Sequence, residues 1–95
     1  MARELLGDEA VERHLTGVSW RREGSWLVKS LELEDFAAAM AFVNRVAELA
    51  EERNHHPDIA ISWNRVTLRL TTHDRGGLTD LDFDLARAVD VMASG

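Results

Sequence analysis

"EDFAAAMAFVNRVAELAEERNHHPD", residues 34–58, decides the fold, because a helix and its forced ending are both written in it. Phe36, Met40, Val43, Ala47 and Ala50 recur at helical spacing, and Phe42, Val46 and Leu49 widen the stripe. Asp35 stands where the helix dipole favours a carboxylate. Pro57, the chain's only proline, cannot continue a helix, and His56 before it is driven toward extended geometry. The spacing predicts a helix over 35–53 that delivers two adjacent histidines, His55 and His56, onto its exit.

Outward from this helix the periodicity changes to two. On the N-terminal side "VSWRR" (18–22) and "SWLVKSLEL" (25–33) flank the turn-former "EG", which predicts a hairpin with Leu27, Leu31 and Leu33 on one face beside Lys29. Earlier still, "MARELLGDEAVERH" reads as a short helix. On the C-terminal side "DIAIS" (58–62) and "RVTLRLTTH" (65–73) make a second pair around "WN". Val66, Leu68 and Leu70 point to one side of the last strand, leaving Arg65, Thr67, Arg69, Thr71 and His73 on the other. "DRGG" turns the chain, and "TDLD" (79–82) opens a final helix with the form of a capping box, Thr79 with Asp82. Leu81, Leu85, Val89 and Met92 give that helix its core stripe. The expected fold is α+β in two layers: a four-stranded antiparallel sheet with helices packed on one face. Its order is strand-strand-helix-strand-strand-helix after the short N-terminal helix, in a single domain over 1–95.

Composition limits what such a domain does. With 95 residues any site is a shallow cleft or is shared between subunits. The longest apolar run, "FAAAMAFV", is far short of the roughly 18 residues of a membrane span, and no apolar-cored signal sequence opens the chain. The expected location is the cytoplasm. No cysteine is present, which removes disulfides, thiolate nucleophiles and cysteine zinc sites. A net charge of -6 with scattered basic residues argues against direct nucleic-acid contact.

The residues able to do chemistry are imidazoles. His55, His56 and His73 bring a side chain that both gives and takes protons near neutrality, and Asp82 is a carboxylate able to orient one of them. Taken singly each has a plainer reading: the histidine pair as solvated loop, His73 as a strand end, Asp82 as a helix cap. A metal site is disfavoured, because adjacent residues in extended chain project to opposite sides, and no H-E-x-x-H pairing occurs. No serine sits in a G-x-S-x-G elbow, and the glycines at 76 and 77 lack a Walker-type lysine. Asp82 is expected to serve either as cap or as site carboxylate, one side chain hardly filling both roles.

Together, "EERNHHP" (51–57), Trp63 six residues beyond the proline, "TTHDRGGLT" (71–79) and Asp82 resemble the pterin-4a-carbinolamine dehydratases. Weaker agreement through "LELEDFAAAMAFVNRVAELAEE" extends the match over nearly the whole chain. Trp20 departs from the pattern in lacking a glycine directly before it. The resemblance implies a hydro-lyase that needs no cofactor or metal and takes a 4a-hydroxytetrahydropterin to quinonoid dihydropterin and water, in support of tetrahydrobiopterin recycling. By position, His55 and His73 resemble the acid and base pair, His56 a substrate-orienting or auxiliary proton-handling group, and Asp82 the family's site aspartate. Asn54, Thr71, Thr72 and Asp74 flank the histidines as pterin-binding candidates; Asn54 stands where some relatives carry aspartate. The resemblance also implies a homodimer or a tetramer, with an aromatic amino acid hydroxylase as a protein partner. A different class of function comes with the same family: a protein-binding scaffold, as a dimerization cofactor of a homeodomain factor or an assembly factor that has lost the histidines.

Overall fold

The computed structural model describes residues 3–94. In chain order the elements are α1 (Asp8–Leu15), β1 (Arg21–Glu23), β2 (Trp26–Glu32), α2 (Phe36–Arg53), β3 (Asp58–Ser62), β4 (Arg65–Leu70), a 3-10 turn (His73–Arg75) and α3 (Asp80–Ser94). The strands form one antiparallel sheet in the order β1-β2-β4-β3. Both predicted hairpins are present, and they join through β2 and β4, with Leu27 opposite Leu70 and Leu31 opposite Val66.

Alternation along β4 separates the two faces of the sheet. Val66, Leu68 and Leu70 are completely buried, whereas Arg65 and Arg69 are exposed. Onto the buried face pack Val11 of α1, Ala39, Phe42, Val46 and Ala50 of α2, and Phe83, Leu85, Ala86 and Val89 of α3. Burying one large apolar side chain of this set contributes about 1.5–3 kcal/mol. The α+β, two-layer architecture expected from the sequence is the one observed.

Lys29 lies on the core side and is satisfied there. Its Nζ is 3.0 Å from Asp90 Oδ1 and 3.1 Å from the Ser19 carbonyl, while the Trp20 indole N–H and the Ser19 N–H donate to the same carboxylate. This cluster ties β2 to α3 without leaving a charge unpaired in the core.

Two expectations need correction. In α2 the buried arc runs through Ala39, Phe42, Val46 and Ala50, while Phe36 is 53% exposed and Ala47 lies in solvent. Apolar residues cover more than one face of this helix, so periodicity alone did not rank the arcs; packing on α3 and β4 selects the one ending in alanines. The N-terminal helix starts only at Asp8, after Gly7, with Asp8 and Glu9 in the dipole-favoured first turn. Residues 1 and 2 of that predicted helix lie outside the described residues. None of the helices among the described residues is long and apolar enough to cross a membrane.

Candidate active site

Three chain segments converge beyond the end of β4. The first is the exit of α2. Asn54 takes left-handed geometry (φ 49°, ψ 43°), its N–H bonds back to Ala50 and Glu51, and the His55 N–H bonds to the Ala50 carbonyl at 3.1 Å. This double closure suits asparagine, the residue after glycine that most readily adopts this conformation, and Pro57 stops the helix beyond it. The turn aims His55 inward. It is 9% exposed, so the plainer reading of the histidine pair as a solvated loop fails for His55, while His56 is exposed.

The second segment is the start of α3. Thr79 caps the helix: its Oγ1 accepts the Leu81 N–H at 3.2 Å, and Asp82 Oδ2 reaches back to the Thr79 N–H at 2.9 Å. This is the capping box predicted from "TDLD". The same Oδ2 accepts the Thr72 hydroxyl at 2.8 Å, and Oδ1 lies 2.6 Å from His55 Nε2. Asp82 is fully buried. The expectation that one carboxylate serves a single role is therefore overturned: each oxygen has its own partners, and cap and histidine are held at once.

The third segment leaves β4. Thr71 and Thr72 are buried, Thr71 donating to the Ser25 carbonyl at 2.6 Å and Thr72 lying 2.8 Å, hydroxyl to hydroxyl, from Thr79. His73 is carried off the strand line by the 3-10 turn, which Gly76 closes at φ 73°. It is exposed, and its ring meets Trp26 edge-on at 5.4 Å.

Between these segments lies a cavity of about 330 Å³. Asn54, His55 and His56 line one side, and Thr71, Thr72, His73 and Asp74 another. All the catalytic and pterin-binding candidates are thus gathered here except Asp82, which lies behind His55. His55 Nε2 faces the Asp82 carboxylate, so in the neutral ring that nitrogen carries the proton and Nδ1 the lone pair. Nδ1 has no protein partner, and no buried side-chain nitrogen or oxygen among the described residues lacks one; Nδ1 therefore opens onto the cavity. His56 Nε2 is 2.5 Å from Glu51 Oε2.

Two residues were not given a role by sequence reasoning. Glu51 lies inside "EERNHHP" on the last turn of α2 and faces His56, five residues on, because the left-handed turn at Asn54 folds the chain back beside it. Arg3 lines the cavity and pairs with Asp74, and nothing in the N-terminal sequence signals it. Trp63 sits elsewhere, 67% exposed at the opposite end of β4. Among the described residues no group of three or more His, Cys, Asp or Glu side chains is placed to hold a metal ion.

Comparison with known proteins follows the same lines. The family model for pterin 4 alpha carbinolamine dehydratase matches residues 4–92. A chain of Nocardia farcinica (strain IFM 10152) named as a pterin-4-alpha-carbinolamine dehydratase is 48% identical over 94 residues, which span 98% of this chain and 99% of the relative. The crystal structure of a transcriptional coactivator/pterin dehydratase from Brucella melitensis superposes with a TM-score of 0.90 at 29% identity, covering 95% of this chain and 99% of that one. A pterin dehydratase-like protein identified as a RuBisCO assembly factor in the alpha-carboxysome shares the fold, with a TM-score of 0.65 at 24% identity over 86% of this chain and 95% of that one.

Proposed function

The chain belongs to the pterin 4 alpha carbinolamine dehydratase family, and from that premise we propose that it is a hydro-lyase acting on a 4a-hydroxytetrahydropterin by histidine acid–base catalysis. The observation that carries this reading is the convergence of His55, His56 and His73 on one cavity, with His55 oriented by a buried carboxylate. A cavity of about 330 Å³ lies within the range of small-molecule sites.

The reaction breaks the bond from carbon 4a to its hydroxyl oxygen and forms a double bond from carbon 4a to ring nitrogen 5. The hydroxyl leaves as water with one added proton, and nitrogen 5 gives up its proton. His55 Nδ1, with its lone pair turned to the cavity and Asp82 behind the ring to stabilise the imidazolium, is arranged as the base. His73, on the facing segment, supplies the proton to the departing hydroxyl. His56, held by Glu51, and the polar groups of Asn54, Thr71, Thr72 and Asp74 hold the flat pterin edge. No cofactor enters these steps.

The reaction would return a hydroxylase's spent pterin to the recycling path, which makes an aromatic amino acid hydroxylase the natural partner. Self-association is supported by β3, an edge strand exposed at four of its five positions, whose free backbone can pair across a two-fold axis as a dimer or within a tetramer. A scaffold role draws support from the double name of the Brucella melitensis neighbour, and intact histidines favour catalysis beside it. The deciding experiment is the dehydration rate of freshly generated carbinolamine with and without protein. Acceleration abolished by His73→Ala is expected; a rate equal to the spontaneous one sinks the reading.

A further inference from the structure

Each histidine at the cavity is held differently. His55 has Asp82 at 2.6 Å, and His56 has Glu51 at 2.5 Å. The His73 ring has no hydrogen-bond partner among the described residues. What touches it is Trp26, with ring centroids 5.4 Å apart and planes at 78°. Trp26 is in turn pinned from another side by Arg69, whose guanidinium carbon lies 4.5 Å from the indole centroid. The backbone beside Trp26 is also fixed to the strand end that carries His73, because the Ser25 carbonyl accepts the Thr71 hydroxyl at 2.6 Å.

From this chain of contacts we infer that Trp26 is the positioning residue of His73. Edge-to-face contact is directional, and Arg69 over the indole removes the freedom that a half-buried tryptophan would otherwise keep. An exposed imidazole on a 3-10 turn would sample several rotamers; against the indole it keeps the one turned to the cavity. Trp26 does not line the cavity, so it acts on the reaction only through His73. The inference rests on the dehydratase reading for its kinetic consequence and on geometry alone for its structural one.

The test uses the full chain with Trp26→Leu, Trp26→Phe and Arg69→Met, and reads ring-proton NMR of His73 beside kinetics. In the wild type the indole displaces a His73 ring-proton resonance; Trp26→Leu should abolish that displacement while leaving the His55 and His56 signals in place. Loss of orientation should lower kcat roughly tenfold, with KM within about twofold, since misplacement by 1 Å is worth up to about 10²-fold. Trp26→Phe restores an aromatic edge and should recover most of kcat, and Arg69→Met should fall between. Unchanged kcat in Trp26→Leu, or a loss carried entirely by KM, overturns the inference. So does a His73 spectrum indifferent to residue 26. A wild-type protein without dehydratase activity would defeat the functional reading alone, because the NMR displacement still decides whether Trp26 holds His73.

Discussion

Replacing Asp82 with asparagine separates holding the fold from setting a proton. The amide oxygen can stand where Oδ2 stands and keep the Thr79 N–H at 2.9 Å and the Thr72 hydroxyl at 2.8 Å. The amide nitrogen then faces His55 Nε2, now 2.6 Å from Oδ1, and it can only donate. His55 must therefore move its proton to Nδ1, the nitrogen that opens onto the cavity, and the lone pair that would accept a substrate proton is gone. The number of hydrogen bonds is unchanged, but three charge-assisted bonds become neutral, which costs about 1–3 kcal/mol in total. In a domain of this size that lowers the melting temperature by about 4–8 °C per kcal/mol. The rate should fall much further, by roughly 10²–10⁴, the usual worth of a general base. Asp82→Ala behaves differently: the Thr79 N–H and His55 Nε2 lose their partner, each at about 1–3 kcal/mol, a large share of the roughly 5–15 kcal/mol that holds a domain together. The assays are denaturant unfolding, nitrogen NMR of the His55 tautomer, and turnover of carbinolamine with the spontaneous rate subtracted. Wild-type turnover in a folded asparagine variant, or an unmoved His55 proton, would refute the reasoning.

Other outcomes follow from the same geometry. Asp82→Glu, which an exposed capping box would accept, should here cost about 1–3 kcal/mol, because the extra methylene has no room in a fully buried site, and thermal melts against the wild type check it. His55→Ala and His73→Ala should each lower turnover by roughly 10²–10⁴, but only the first should lower the melting temperature, since it alone removes a partner from buried Asp82. Equal melting of the two variants counts against the pairing. A chelator should leave the rate unaltered; loss restored by zinc would revive a metal site.

The fold was legible where one period dominates. Val66, Leu68 and Leu70 alternate without ambiguity, and Asp35 and Pro57 bracket α2, which spans Phe36–Arg53 against the expected 35–53. It was less legible where two arcs competed, as in the placement of Phe36, and in the joining of the hairpins through β2 and β4, which no local signal encodes. The candidate site was legible as a set of residue types, since His55, His56, His73 and their neighbours do line one cavity. Its wiring was not. That His55 is buried follows from the left-handed turn at Asn54, and that Asp82 holds His55 besides capping its own helix follows from the approach of α3 to α2, a long-range event. Trp26 and Arg3 reach the site from segments remote in sequence, so spacing around the histidines could not reveal them.

The capping box at the head of α3 also shapes how such a domain can change over generations. Because Asp82 closes the helix as well as holding His55, its replacement weakens the whole domain, and drift at that position is checked even in a lineage with no pterin to process. His73 stands at the other extreme. It is exposed and accepts no structural duty beyond its contact with Trp26, so its replacement leaves the fold intact. A copy released from catalysis should therefore lose the histidine of the 3-10 turn early and the aspartate of the helix late, passing through a stage in which Asp82 still closes the helix and holds His55 opposite an empty place on the 3-10 turn.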